Sequence, residues 1–190
     1  MLKIYNKLII LMFFYLFISS NSYTNVFPSE SVYHLNVSLF DQNNNKIYIK
    51  DLSGKIQIFS MIYTKCKTTC PIIVENMKNL EKLIPEKIMK NVHFSLVTLD
   101  SLRDNSETLK NFMKEKNIDS NNWSLFFSSE KETLELDISL GIKYKKESDG
   151  NYIHSNLILL IDKNGVIKFQ HPGLMNNFDD ILYSLYKICE

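Results

Sequence analysis

Cysteine and arginine are rare in this sequence. Its 190 residues include three cysteines and one arginine, Arg103, and no acidic residue occurs before Glu30. No repeat of fixed period and no low-complexity segment stands out. The net charge is +1, and without Lys3 and Lys7 it is about −1, so nothing indicates a nucleic-acid-binding face. With 45% hydrophobic and 23% charged residues, the chain fits one ordinary globular domain.

The amino-terminal segment differs from the rest of the chain. Two lysines lie in residues 1–7. Residues 8–20 (LIILMFFYLFISS) form an apolar run that ends in two serines. A basic start followed by such a run is the pattern of a secretory signal, although a bilayer-spanning helix usually needs about 20 residues. We therefore interpret residues 1–22 as a signal peptide or membrane anchor and residues 23–32 as a tether.

This start predicts a location outside the cytoplasm. A mitochondrial transit peptide is rich in arginine and amphipathic, and this segment is neither. We expect the bacterial inner membrane, with the soluble domain on the periplasmic side, where disulfides can form. Secretion into the periplasm after cleavage and the mitochondrial inner membrane are the alternatives.

Hydrophobic patterns beyond the tether predict an α/β domain over residues 33–190. The predicted strands are a hairpin over 33–50, then 55–63, 92–99, 123–127, 156–162 and 166–170. An apolar stripe from Ile73 to Ile84 predicts a helix that begins at Pro71. The predicted caps of the next two helices are Asp104 with Glu107 and Ser129 with Glu132, and the last helix covers 178–188.

This order of elements predicts a thioredoxin-like fold with an N-terminal β-hairpin extension and an inserted late hairpin. The segment YTKCKTTCP (63–71) joins the first core strand to its helix. Ligand sites of open α/β sheets lie at that edge. Cys70 precedes Pro71, so we expect it at the helix amino terminus, where the partial positive charge favours a thiolate. Lys65 and Lys67 add positive charge nearby.

The residues alone leave a structural disulfide, a redox pair and a metal clamp open for Cys66 and Cys70. A metal clamp needs a third donor, and sulfur ligands joined by an imidazole suit Cu(I) or Cu(II). The four histidines are His34, His93, His154 and His171. His154 is favoured by its position, because it precedes the strand that should enter the sheet near the cysteine loop.

Four segments, in this order, resemble the Sco/SenC family of copper-binding assembly proteins over about 150 residues. YTKCKTTCP resembles the family's metal-binding C-x-x-x-C-P loop, and LVTLDSLRDNSETLKNF resembles its D-x-x-R-D segment. NWSLFFSSEKETLELDISLGIKY resembles the linking strand and helix, and HSNLILLIDKNGVI the segment that begins with the metal-binding histidine. One departure is Lys67, which stands where the family often has proline.

The resemblance implies that Cys66, Cys70 and His154 bind copper, as Cu(I) or Cu(II). The resemblance also implies that Asp100 either supports the metal ligands or contributes to the docking of partners. The alternative is that Asp100 only caps the end of its strand. Cys189 is interpreted as a packing residue of the last helix.

The resemblance further implies a non-enzymatic copper metallochaperone that serves cytochrome c oxidase assembly at the binuclear site of subunit II. Other expected partners are copper chaperones, thiol reductants and, through the amino-terminal segment, the membrane. The alternative function is a thiol–disulfide oxidoreductase that reduces partner cysteines with the same pair, for which an imidazole ligand is unnecessary. A peroxidase is disfavoured because nothing resembles a dedicated peroxide-binding segment.

Overall fold

The computed structural model describes residues 27–119, 121–148 and 152–189. The predicted signal or anchor over 1–22 and the first residues of the tether, 23–26, lie outside the described residues. In the ranges that are described, no helix has both the length and the apolar character needed to cross a bilayer.

A mixed seven-stranded sheet forms the centre of the described chain. The strands are β1 (Ser38–Asp41), β2 (Lys46–Tyr48), β3 (Ile56–Ile62), β4 (Val92–Thr98), β5 (Trp123–Phe127), β6 (Tyr144–Lys146), β7 (Tyr152–His154), β8 (Leu157–Ile161) and β9 (Ile167–Pro172). The order across the sheet is β2-β1-β5-β4-β3-β8-β9, and β6 pairs with β7 in a separate hairpin. Strands β3, β4 and β5 are parallel, and the remaining pairs are antiparallel.

Helices cover both faces of this sheet. They are α1 (Cys70–Leu83), α2 (Glu86–Met89), α3 (Ser106–Glu115), α4 (Glu130–Ser139) and α5 (Asp179–Cys189), with short 3-10 helices at Val32–His34 and Ile49–Leu52. Every residue of β3 is buried, because successive side chains of a strand point to opposite faces and both faces are covered. Thus Ile58 packs with α1, α3 and α5, whereas the next residue, Phe59, packs with α4.

The thioredoxin-like fold and both predicted hairpins are confirmed. Strand β5 matches its predicted range, and β3, β4 and β8 match within one residue at each end. The first hairpin is shorter than predicted, since residues on either side of it form the two 3-10 helices. The hairpin of β6 and β7 was not predicted.

The predicted caps have different outcomes. Ser129 caps α4 as expected, because its hydroxyl accepts the backbone N–H of Glu132 at 3.3 Å. The prediction for Asp104 is wrong: the N-cap of α3 is Asn105. The carboxylate of Asp104 instead accepts the backbone N–H of Thr64 at 3.0 Å and the hydroxyls of Thr64 and Thr98. Asp104 therefore holds the start of the cysteine loop, a role that its spacing along the chain does not reveal.

Asp137 on α4 is a buried acid without a visible partner. Its side chain is 1% exposed, and neither carboxylate oxygen has a hydrogen-bond partner among the described residues. Burial disfavours the charged form and raises the pKa of Asp137 to about 7.

We predict that Asp137 makes the protein less stable as the pH rises. Its pKa is raised on folding, so its stabilising contribution is complete below about pH 4 and is lost as the pH rises through about 7. Between these limits the free energy of unfolding should fall by an amount on the order of 4 kcal/mol. Asp137→Asn should remove this dependence, measured by urea unfolding at several pH values. Asp180→Asn, a matched change of an exposed carboxylate, should retain it. Equal pH dependence in Asp137→Asn and the unmodified chain would contradict the prediction.

Candidate metal centre

The two cysteines lie where β3 passes into α1. After Ile62 the chain turns, and the backbone N–H of Cys66 donates to the carbonyl oxygen of Tyr63 at 3.1 Å. Helix α1 begins at Cys70, one residue earlier than predicted, with Pro71 in its first turn. Proline is suited to that position because the first turn of a helix has no intrahelical acceptor for its N–H groups. The predicted place of Cys70 at the helix terminus is confirmed.

A backbone N–H group at the amino end of α1 donates a hydrogen bond to Cys66. The backbone N–H of Cys70 donates to Cys66 Sγ at 3.4 Å. Both cysteines are reduced in this structure, and they are 6% and 0% exposed, respectively. Cys66 is therefore the more accessible of the two residues, although both are buried.

The two thiols have opposite acid strengths. Burial raises the pKa of Cys66, but hydrogen bonds from the backbone and side chain of Cys70, followed by those of Thr68, outweigh it and lower the pKa to about 6. Burial raises the pKa of Cys70 far above its usual value, and the adjacent Cys66 sulfur raises it further. The expectation that the helix terminus makes Cys70 the thiolate is therefore wrong. The complete burial of Cys70 outweighs the helix terminus, and the N–H group stabilises Cys66 instead.

His154, the last residue of β7, contacts the second cysteine. Its Nδ1 lies 3.0 Å from the carbonyl oxygen of Ser155, and a carbonyl can only accept, so Nδ1 carries the proton. Its Nε2, which lies 3.7 Å from Cys70 Sγ, therefore accepts a hydrogen bond from the thiol. Burial lowers the pKa of His154, and the hydrogen bond to Ser155 only partly offsets this effect. The lowered pKa keeps the imidazole neutral at physiological pH. The lone pair of Nε2 thus points to the sulfur, the arrangement that a metal-binding histidine needs.

The spacing of Cys70 and His154 fits a shared metal ion. With bonds of about 2.3 Å to sulfur and about 2.0 Å to nitrogen, two ligands of one ion lie about 3.5 to 3.7 Å apart. The observed distance between Sγ and Nε2 is 3.7 Å. In the described part of the chain, no three His, Cys, Asp or Glu side chains are already grouped so that they could hold an ion. A three-ligand site therefore requires Cys66 Sγ to turn towards the other two donors.

Two tyrosines connect the site to Asp100. The rings of Tyr63 and Tyr152 meet edge to face with centroids 5.3 Å apart, and Tyr63 also lies 6.4 Å from the ring of His154. The hydroxyl of Tyr152 donates to Asp100 Oδ1 at 3.4 Å, and Asp100 Oδ2 pairs with Arg103. Asp100 is thus joined to the hairpin that carries His154 through Tyr152 rather than to either sulfur.

The other candidate residues lie elsewhere. Ring nitrogens of His34, His93 and His171 contact the Pro28 carbonyl, the Ser124 hydroxyl and the Asn177 carbonyl, at 2.8, 2.9 and 2.7 Å. Cys189 is half-buried against the core on the α1 face, in agreement with its predicted packing role. Of the four histidines, His154 is the one that the fold brings to the cysteine pair.

The comparisons with known proteins point to one family. A family model described as SCO1/SenC matches residues 29–185. The SCO1 protein homolog of Bacillus subtilis (strain 168) is 25% identical over 146 residues, which are 75% of each chain.

Solved structures share this fold. The crystal structure of a SCO1/SenC family lipoprotein from Bacillus anthracis str. Ames is 27% identical, with a TM-score of 0.74, and the match covers 82% of this chain and 97% of that one. Bradyrhizobium japonicum ScoI, solved with copper bound, is 22% identical with a TM-score of 0.67, covering 80% and 96% of the two chains.

We predict that Cys66 is the reactive thiol of the metal-free, reduced protein. Alkylation by iodoacetamide should show a fast phase that is half-maximal near pH 6, because Cys66 has a pKa of about 6. Cys66→Ser should abolish this phase. Cys70→Ala should shift it to higher pH, since the side-chain hydrogen bond is lost while the backbone N–H remains. Cys189→Ser is the matched control and should leave it unchanged. A fast phase that survives in Cys66→Ser would show that the assignment is wrong.

Proposed function

The chain belongs to the SCO1/SenC family, and on that premise we propose that it carries copper to assembling cytochrome c oxidase. The ligands in this proposal are Cys66, Cys70 and His154. The observation that carries it is the 3.7 Å contact between Cys70 Sγ and a neutral His154 whose Nε2 is free to coordinate. Copper would take the place of the thiol hydrogen that now lies between these two atoms.

The ligand chemistry supports copper as the cargo. Two thiolates select soft ions such as Cu(I), and an added imidazole also suits Cu(II). Cys66 loses its proton at neutral pH because its pKa is about 6. Cys70 holds its proton more firmly, so binding of the ion must displace that proton to solvent.

Delivery would proceed by exchange of ligands. A partner thiol forms a bond to Cu(I) as the bond from one cysteine breaks, a second partner thiol displaces the other cysteine, and the bond from His154 Nε2 breaks as the ion leaves. One of the protons released by the partner's thiols returns to Cys70 and the other goes to solvent, because Cys66 stays largely ionised at neutral pH. No electron is transferred, so the copper remains Cu(I). We propose the binuclear copper site of oxidase subunit II as the acceptor.

Oxidation of the pair would block this cycle. A disulfide between Cys66 and Cys70 forms when a partner disulfide accepts two electrons and two protons, and it leaves no thiolate for the ion. A dithiol reductant, or a copper chaperone acting after reduction, would then restore loading.

A thiol–disulfide oxidoreductase is the second candidate function. The acidic, more accessible Cys66 next to a buried, protonated Cys70 suits an attacking thiol with a resolving partner. Both functions use the same cysteines, but only copper transfer needs the imidazole of His154.

Replacement of His154 by alanine therefore separates the two functions. The reduced, metal-free full chain should bind one Cu(I), measured by metal analysis and competition with a chelator. His154→Ala should weaken binding at least tenfold, a loss of about 1.4 kcal/mol, and should fail to restore oxidase activity in a deletion strain. Its rate of disulfide reduction should stay within a few fold of the unmodified chain.

Two further variants complete this experiment. Cys66→Ser with Cys70→Ser should abolish both binding and reduction, whereas Cys189→Ser should affect neither. Normal oxidase activity from His154→Ala at natural expression levels would favour the reductase instead. One tightly bound copper in the double serine variant would place the metal elsewhere.

We also propose that the domain faces the periplasm, tethered to the bacterial inner membrane by residues 1–22 or released from it by cleavage. The basic and then apolar start of the chain supports this location. A phosphatase that is active only outside the cytoplasm, fused after Glu190, should be active in intact cells. Deletion of residues 1–22 should abolish that activity, and activity of a cytoplasmic reporter alone would overturn the location.

A further inference from the structure

Two lysines stand on either side of Cys66 without a partner. Lys65 and Lys67 are exposed, and neither makes a hydrogen bond or an ion pair with any residue in the described ranges. Both line two clefts, a first of about 490 Å³ and a second of about 550 Å³. Cys66 lies on the second cleft, so a group that approaches its sulfur passes these two ammonium groups.

The other charges around these clefts are largely paired. Arg103 pairs with the buried carboxylate of Asp100, and Lys116 pairs with Glu115 at 2.7 Å. Glu147 also lines the first cleft. When the negative charge of Glu147 is set against the positive charges of Lys65 and Lys67, one positive charge remains in excess at the mouth of the site.

An exposed apolar side chain lies next to this charge. Ile153, which precedes His154, is 59% exposed and lines the first cleft together with Lys65 and Lys67. Large apolar residues that remain in water beside a buried reactive site are typical of a protein-binding surface, where they become the buried centre and charged groups form the rim.

We infer that Lys65, Lys67 and Ile153 form a docking surface for a partner protein whose own thiol site is surrounded by carboxylates. This inference rests on the proposed copper transfer and specifies the partner's chemistry. Opposite charges steer the two sites together and raise the rate of encounter, and they disfavour partners with a positive rim. The lysines lie within the cysteine loop, so the attraction acts at the point where the ligands exchange.

Peptide acceptors of different charge test the inference. Three synthetic peptides share one Cys-x-x-x-Cys core, flanked by four glutamates, four lysines or four serines. Cu(I) transfer from the copper-loaded full chain is followed by stopped-flow spectroscopy. At low ionic strength, transfer to the acidic peptide should be about tenfold faster than to the basic peptide. The difference should largely vanish near 0.5 M salt, where the screening length falls to about 4 Å.

Charge reversal assigns the effect to these lysines. Lys65→Glu with Lys67→Glu should slow transfer to the acidic peptide about tenfold and speed transfer to the basic one. Lys87→Glu with Lys90→Glu is the matched control, since both lysines are exposed beyond the far end of α1, about 20 Å away along the helix. Ile153→Ser should slow transfer to a folded acidic acceptor without changing the salt dependence.

Each outcome has one meaning. If the chain binds no copper, the proposed function itself fails. If copper transfers equally well to all three peptides, or the two double variants behave alike, the docking surface is wrong while copper binding stands. If Lys65→Glu with Lys67→Glu slows all three peptides equally, the lysines act on the thiols and the inference is also overturned.

Discussion

The carboxylate of Asp104 joins the parts of the molecule on which the site depends. It accepts hydrogen bonds from Thr64, at the start of the cysteine loop, and from Thr98, at the end of β4. Asp104 itself lies just before α3, so one buried group fixes a loop, a strand and a helix relative to each other. A buried polar group that loses its hydrogen-bond partner destabilises the folded state. We therefore expect the hydrogen bonds of Asp104 to form and break together. Asp104 thus fixes Thr64, two residues before Cys66, at the start of the cysteine loop.

The chemistry of the two sulfurs follows from a difference in environment within four residues. The amino end of α1 directs the N–H of Cys70 to the other cysteine, Cys66, while Cys70 is enclosed by the core. The low pKa of Cys66 favours its thiolate form, whereas the high pKa of Cys70 favours a thiol, which contacts His154. A pair of identical residues thereby acquires two different acid strengths.

Much of the fold was predictable because it depends on local pattern. The nearly continuous apolar character of β3, the stripe of α1 and the cap at Ser129 are each visible within a few residues of sequence. The place of His154 was also predicted, since a residue ahead of a buried strand enters the sheet at a known edge.

What could not be predicted depends on burial and on distant contacts. The acid strengths of Cys66 and Cys70 are set by how deeply each is enclosed, which no local pattern records. The role of Asp104 was missed because its partner Thr64 is 40 residues away and a nearby cap offered a simpler interpretation. The hairpin of β6 and β7 had one available signal, the turn-forming pair Asp149-Gly150 between two segments with tyrosines, but its strands are only three residues long.

The separation of the cysteines from His154 has a consequence for the order of events in the life of the protein. Cys70 and His154 are 84 residues apart, and the histidine belongs to a hairpin outside the main sheet. During synthesis the two thiols emerge long before the imidazole, and the chain must close this long loop before the third donor arrives. A chain in which this long loop has not yet closed presents the two thiols without the imidazole. Under the proposed function, the full set of three ligands therefore exists only after His154 has reached Cys70.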